Sequence, residues 1–426
     1  MLSKEDNELL TRVGPGTPMG QLMRQYWIPA LQSSELPAPD CDPVRVRLLG
    51  ENLIAFRDSA GRVGMLANHC PHRGASLFYG RNEENGLRCV YHGWKYDVSG
   101  QCVDIPSEPP ESTFKERIRA TAYRCVERGG AVWTYLGPRA EPPPLPGLAA
   151  IMLRDDERLL WNALRSCNWA QALEGEVDTS HFGFLHFITD PEHTPTPGTF
   201  EDYMAQDRCP RYDVEETEYG ARYGAYRPAD GDTYYWRIAQ FLLPFYTMVP
   251  TGVLREQTIV RAWVPLDDEH TMFWHFSDEA SQMANAHLEG RPASFLRGRG
   301  DVLPNTSDWL GRWRLAAHAE NDYKLDRQLQ RTVSYTGIPG IHVQDQAITE
   351  SLGPIYDRAA EHLDTSDAMI VRVRLRLLSA AKALRDQGIV PPTVDHPELY
   401  EVCSGGIVLP RDADWRSLSL PLRGGG

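Results

Sequence analysis

Between Val44 and Leu136 the apolar positions fall in short runs separated by glycine- and asparagine-rich stretches: Val44 to Leu49, Leu53 to Phe56 and Ala131 to Leu136. Short runs rich in β-branched and aromatic residues, bounded by turn residues, predict strands and an all-β first domain. Glu141 to Gly147 carries four prolines, which remove backbone donors and hold the chain extended, so the first domain is expected to end there. Beyond it the pattern changes. Asn168 to His186 predicts a helical stretch, Thr233 to Pro250 and Gln257 to Pro265 predict long strands, and Asp367 to Gln387 predicts a second helix. That last helix is apolar at Met369, Ile370, Val373, Leu377 and Leu378 and is closed by Gly388, with Pro391 beyond. Residues 280 to 310 have weak periodicity and read as a variable excursion, and the glycine tail Gly424 to Gly426 reads as disordered. The chain therefore reads as an α+β protein of two domains, 1–147 and 148–426.

A length of 426 residues suits two or three domains at roughly 150 residues each. The formal charge of −14 argues against nucleic acid or an anionic membrane as partner, and an anionic ligand must find a local arginine. The N-terminus, Met1 to Asp6, is charged where a signal peptide needs an apolar core, and no run approaches the roughly eighteen apolar residues of a membrane helix. A cytoplasmic location is expected. There Cys41, Cys102, Cys125, Cys167, Cys209 and Cys403 read as free, small, buried hydrophobes.

Cys70 and Cys89 carry a different signal. Each opens a short mixed pair, Cys70-Pro71-His72 and Cys89-Val90-Tyr91-His92. A two-iron cluster with two thiolates on one iron and two imidazoles on the other needs this donor set delivered together. Gly74 and Gly93 follow the pairs, leaving backbone N–H groups free to face the sulfurs. Structural zinc also accepts Cys and His, but its usual spacings do not mix the two inside each short pair.

Glu174, Asp178, His181 and His186 fall within one short segment. On an ideal helix at about 100° per residue, Asp178 shares a face with Glu174 and His181, whereas His186 lies about 140° from His181. Two imidazoles that far apart cannot meet on one metal, so the helix is expected to break between them, at Gly183. Two histidines and a carboxylate on ferrous iron leave positions open for oxygen and substrate.

Asn68 to Ala75 and Tyr91 to Trp94 resemble the cluster loops of the Rieske family. Glu174 to His186 resembles the mononuclear-iron motif of the Rieske non-heme iron aromatic ring-hydroxylating oxygenases, and Gly14 to Gly20 with Arg24 to Pro29 is similar to the phthalate-dioxygenase-type branch. The resemblance implies an all-β Rieske [2Fe-2S] domain held by Cys70, His72, Cys89 and His92. A helix-grip (START-like) catalytic domain would follow, its curved antiparallel sheet around a mononuclear non-heme Fe(II) on His181 and His186. The third ligand would come from a downstream helix. Asp345 is chosen for it, with Glu350 as runner-up. The resemblance also implies a head-to-tail homotrimer in which Asp178 links His92 of one subunit to His181 of the next, so that each cluster serves a neighbour's iron. Asn168 and Glu174 either lie near the iron or serve capping and packing.

The implied activity is that of a terminal oxygenase, a dioxygenase or monooxygenase of aromatic hydrocarbon catabolism. It would use O2 and electrons from an NAD(P)H-dependent flavin/iron-sulfur reductase to hydroxylate an aromatic, carboxylated substrate of phthalate or benzoate type. The chain has no glycine-rich dinucleotide fingerprint of its own. O-demethylation of a methoxylated aromatic acid on the same metals is the alternative, and a Rieske electron carrier is the reading from another class. For the substrate carboxylate, strand alternation puts Tyr235, Arg237, Ala239 and Phe241 on one face, with Arg237 the candidate and Arg208 and Arg261 as others.

Overall fold

The computed structural model describes residues 2–278 and 299–420. Six antiparallel strands make the first sheet: β1 (Trp27–Gln32), β2 (Val44–Leu48), β3 (Glu51–Arg57), β4 (Val63–Ala67), β9 (Ala122–Arg128) and β10 (Ala131–Tyr135), in the order β1-β10-β9-β4-β3-β2. A four-stranded meander, β5 (Arg81–Glu83), β6 (Gly86–Arg88), β7 (Lys95–Tyr96) and β8 (Cys102–Asp104), stands beside it. Leu66, Leu77, Leu87, Trp94 and Tyr96 fill the core between them, and Cys70 and Cys89 belong to that core.

The second sheet is larger. Its order is β11 (Arg158–Arg165), β17 (Thr271–Asp278), β16 (Ile259–Pro265), β15 (Tyr246–Met248), β14 (Thr233–Leu242), β13 (Gly220–Pro228) and β12 (Arg211–Thr217). One edge of β14 pairs with β13, while the other is shared between β15 and β18 (Gly405–Pro410). The single strand expected over Thr233 to Pro250 is therefore two. Pro244 has no N–H to give a ladder, so the chain turns there before β15 begins.

Helices flank this sheet: α1 (Lys4–Thr11), α2 (Pro18–Met23), α3 (Trp169–Val177), α4 (Phe200–Gln206), α5 (Arg327–Thr332), α6 (Ile341–Ser351), α7 (Ala368–Gln387) and α8 (Trp415–Leu418). The long α7 packs on β12 and β13, and α1 and α2 pack on α7. Gly388, at φ 69°, closes α7 in the left-handed conformation. Its buried face holds Met369, Val373, Leu377 and Leu378 as the pattern predicts, with Ile370 only half-buried. The same face also buries a cation, Arg374.

Arg374 Nε donates to Glu174 Oε1 at 2.7 Å, Arg358 Nε donates to the same oxygen at 2.9 Å, and Arg374 also pairs with Glu361. Burial opposes the charge on Glu174, and the two guanidiniums outweigh it, holding the carboxyl below its usual range. Glu174 is thus a packing acid that ties α3 to α7. Asn168 caps α3, accepting from Ala170 N–H at 3.0 Å while its amide donates to the carbonyls of Thr11 (2.9 Å) and Asp268 (2.7 Å).

The helix expected from Asn168 to His186 ends at Val177, well before Gly183. Asp178 turns its carboxylate onto Ser180 N–H at 2.6 Å, an Asx turn that competes with helical pairing, and Thr179 and Ser180 are weak helix formers. Every cysteine among the described residues is free, but of the six expected to be buried only Cys102 and Cys167 are; Cys41, Cys125 and Cys403 are half-buried, and Cys209 is exposed. Cys209 lies in the loop before β12, between exposed Arg208 and buried Pro210, with its own side chain turned to solvent. The expected excursion at 280–310 lies outside the described residues up to 298, as does the Gly424 to Gly426 tail. No helix among the described residues is long and apolar enough to cross a membrane.

Candidate active site

Two loops with the same hydrogen bonding present Cys70 and Cys89. Cys70 N–H donates to Ala75 O (2.8 Å) and Gly74 N–H returns to Cys70 O (2.9 Å); Cys89 N–H donates to Trp94 O (2.8 Å) and Gly93 N–H returns to Cys89 O (2.9 Å). Gly74 and Gly93 sit at φ 74° and 76°, where a side chain would be strained. Both thiols are buried, and both imidazoles lie farther out, half-buried, with ring centroids 4.4 Å apart. Trp94 stacks on His72 at 4.2 Å, and Tyr96 Oη lies 3.2 Å from Cys70 Sγ.

This arrangement separates a two-iron cluster from a single zinc ion. Donors to one tetrahedral ion lie within a few ångströms of one another. Among the described residues the set of three or more donor atoms within 4.8 Å of each other is His181, His186 and Asp345, and the Cys–His loops form no such set. Two thiolates and two imidazoles spread over a wider space fit two irons.

His181 opens the short 3-10 turn His181–Gly183, and the chain folds back so that His186 faces it. Their Nε2 atoms are 3.1 Å apart, and Asp345 Oδ1, from α6, lies 3.0 Å from His186 Nε2 and 3.8 Å from His181 Nε2. Adjacent ligands on an ion with bonds of about 2.1 Å stand about 3 Å apart, so the three atoms fit a single metal. Burial disfavours the charge on Asp345, and His186 and His181 outweigh it, holding the carboxyl well below its usual range. Glu350, the runner-up, is turned away, accepting from Ser166 N–H (2.7 Å) and Tyr323 Oη (2.5 Å).

Each imidazole has a partner on its far nitrogen. Asp178 Oδ2 is 3.3 Å from His181 Nδ1, and Gln344 Oε1 is 2.7 Å from His186 Nδ1. Gln344 Nε2 donates to Ile338 O at 2.7 Å, so its oxygen must be the atom facing His186. That makes His186 Nδ1 the donor and leaves its Nε2 lone pair free for a metal. Sequence reasoning missed Gln344, because a residue beside a chosen ligand on a helix points about 100° away and nothing in the pattern says toward what.

His181 and Asp345 line a cavity of about 650 Å³, a size suited to a small ligand. Phe182, Phe200 and Tyr235 line it together with Arg237 and Arg261. Arg237 is only 4% exposed. Its Nε donates to Thr179 Oγ1 at 2.9 Å, its guanidinium lies 3.6 Å over the Phe200 ring, and it forms no ion pair among the described residues. Arg261 pairs with Glu176, a cavity residue the sequence did not single out. Arg208 stands over Phe187 at 4.4 Å and is not part of the cavity wall. On the expected Arg237 face, Ala239 and Phe241 pass into the general core.

Residues 26–126 match the Rieske [2Fe-2S] domain family, and residues 134–422 match the family described as LigXa C-terminal domain like. The chain is 45% identical over 424 residues to the 3-chlorobenzoate-3,4-dioxygenase oxygenase subunit of Comamonas testosteroni, covering 98% of each. It is 35% identical over 438 residues to the phthalate 4,5-dioxygenase oxygenase subunit of Pseudomonas putida, covering 98% of this chain and 94% of that one. Among solved structures, NdmA of Pseudomonas putida CBB5 (QL mutant with caffeine) superposes with a TM-score of 0.58 at 18% identity, covering 93% and 99%, which shows a shared fold. With these likenesses running through both metal-bearing regions, the chain belongs to the Rieske non-heme iron aromatic ring-hydroxylating oxygenases, as an oxygenase (α) subunit with a [2Fe-2S] cluster and a mononuclear iron.

Proposed function

We propose that this oxygenase hydroxylates a carboxylated aromatic ring of the benzoate or phthalate type. The observation that carries the reading is Arg237, a buried guanidinium without an acidic partner among the described residues, on the wall of the cavity that His181 and Asp345 also line. A ring carboxylate would pair with it, and Phe182 and Phe200 would pack the ring. The names of the two sequence relatives, a chlorobenzoate and a phthalate dioxygenase, support the same chemistry.

In this reading Cys70, His72, Cys89 and His92 hold the cluster, and His181, His186 and Asp345 hold the iron. When bound, the cluster supplies single electrons and the iron supplies open positions at which dioxygen is activated. Residues 1–147 comprise the N-terminal segment and the electron-entry domain, and 148–426 the catalytic one. Asp178 keeps the proton on His181 Nδ1. Its carboxylate is partly exposed, about a fifth, and so can also receive His92 of a neighbouring copy in a homotrimer. An NAD(P)H-dependent flavin/iron-sulfur reductase supplies the electrons.

The test is a panel of benzoates, phthalates and methoxybenzoates turned over by holoenzyme with a reductase, with products identified. Ring diols or phenols from a carboxylated substrate are expected. Release of formaldehyde from methoxybenzoates alone would assign O-demethylation, and turnover of uncharged aromatics only would overturn the role of Arg237.

A further inference from the structure

The two guanidiniums in the cavity wall are not electrically equivalent. Arg261 is held by Glu176, and the two side chains are only 11% and 6% exposed. Arg261 Nε also donates to His275 Nδ1 at 3.3 Å; burial and Arg261 itself keep His275 uncharged, so Glu176 is the counter-charge there. Among the described residues Arg237 faces the hydroxyls of Thr179 and Tyr235 and aromatic rings, with no carboxylate. The other charged groups of the wall among the described residues are accounted for. Asp345 faces the two histidines, Asp178 engages His181 and Ser180 N–H, Glu201 binds His193 at 2.6 Å, and Glu256 is solvated. A further guanidinium, Arg227, is 1% exposed on the same sheet face, with its Nε donating to Asp207 O at 2.8 Å and Nη1 unpaired among the described residues, but it lines no part of the cavity.

We infer that Glu176 is a charge selector. By occupying Arg261 it leaves the cavity one available cation among the described residues, so the site takes aromatic monocarboxylates and discriminates against dicarboxylates. The inference rests on Arg237 as the carboxylate partner. A second ring carboxylate would have to displace Glu176 from Arg261, stranding a buried anion, or lie against Glu176 and Asp178 without a cation of its own. Removing the charge of Glu176 while keeping its shape frees Arg261 for that second carboxylate.

The experiment is anaerobic binding titration of holoenzyme with benzoate and with phthalate, isophthalate and terephthalate, iron and cluster content being checked for each protein. Wild type should bind benzoate at least about tenfold more tightly than any dicarboxylate. In Glu176→Gln that gap should narrow by about tenfold or more for at least one isomer, the scale of one new charge-assisted pair. In Glu176→Gln/Arg261→Met it should open again. A wild type that binds any dicarboxylate as tightly as benzoate overturns the inference, and so does an unchanged gap in Glu176→Gln. Failure of the underlying reading looks different: benzoate binding that is absent, or that is indifferent to Arg237→Met.

Discussion

Replacing Gln344 with Met tests whether a buried amide sets the metal affinity of the catalytic site. Gln344 is fully buried; its Oε1 accepts from His186 Nδ1–H at 2.7 Å and its Nε2 donates to Ile338 O at 2.7 Å. Methionine fills the same volume and makes neither bond. The His186 Nδ1–H is then left buried without an acceptor, at a cost of about 1 to 3 kcal/mol, and the other tautomer, with its proton on the metal-facing nitrogen, becomes competitive. That range corresponds to roughly 5- to 150-fold in affinity, in line with the 10- to 100-fold typical of lost partners behind metal-bound histidines. The assay is anaerobic ferrous titration against a competing chelator, with the cluster spectrum as internal control. Gln344→Glu keeps an acceptor for His186 and gives up the donor to Ile338, so it should retain iron better than Gln344→Met. Ferrous affinity within twofold of wild type in Gln344→Met, with the fold intact, would refute the reasoning.

Reconstituted protein should hold about three irons and about two acid-labile sulfides per chain; a protein that takes one zinc at the Cys–His loops and develops no cluster absorption with iron and sulfide would contradict that. Asp178→Asn should keep both metals while turnover falls by orders of magnitude, because an amide keeps the size of the carboxylate and loses its charge; near-normal, fully coupled turnover would remove Asp178 from the electron path. Arg237→Met should weaken a carboxylated substrate by roughly thirtyfold or more at unchanged metal content, and an unchanged titration would move the charge partner elsewhere. Glu174→Gln leaves Arg358 and Arg374 facing each other without their shared anion. We expect about 3 to 5 kcal/mol of lost stability in denaturant unfolding, and a loss below about 0.5 kcal/mol would show that the cluster of charges is not what holds α3 to α7.

The chain announces its donor atoms more clearly than its geometry. Cys70, His72, Cys89 and His92 were legible because their chemistry is compressed into two short loops, and α7 because one face repeats with a helical period. His181 and His186 were legible as a pair, but the bend that joins them was placed at Gly183. Glycine permits a bend, whereas the side chain of Asp178 makes one by capturing Ser180 N–H. Asp345 reaches the histidines from a helix far along the chain, and neither spacing nor composition separates it from Glu350; only the rotation of α6 does. Glu176 was invisible for a similar reason. Two residues from Glu174 on α3 it faces the sheet while Glu174 faces α7, so one acid answers Arg261 and the other Arg358 and Arg374.

The placement of α1 and α2 on α7 constrains how such oxygenases can be recombined. Asn7 accepts from Arg358 Nη1 at 3.0 Å, Thr11 O receives the Asn168 amide, and Lys382 Nζ reaches Asp6 Oδ1 at 2.6 Å, so the opening residues are a brace for the distal half of the chain. A chimera joined only at the proline-rich stretch around Gly147 would import a foreign brace with its new electron-entry module and mismatch the Leu10, Met19, Leu22 and Met23 surface buried in the common core. Grafts with two junctions, one just before Trp27 and one near Gly147, leave the native brace in place and exchange the redox module alone.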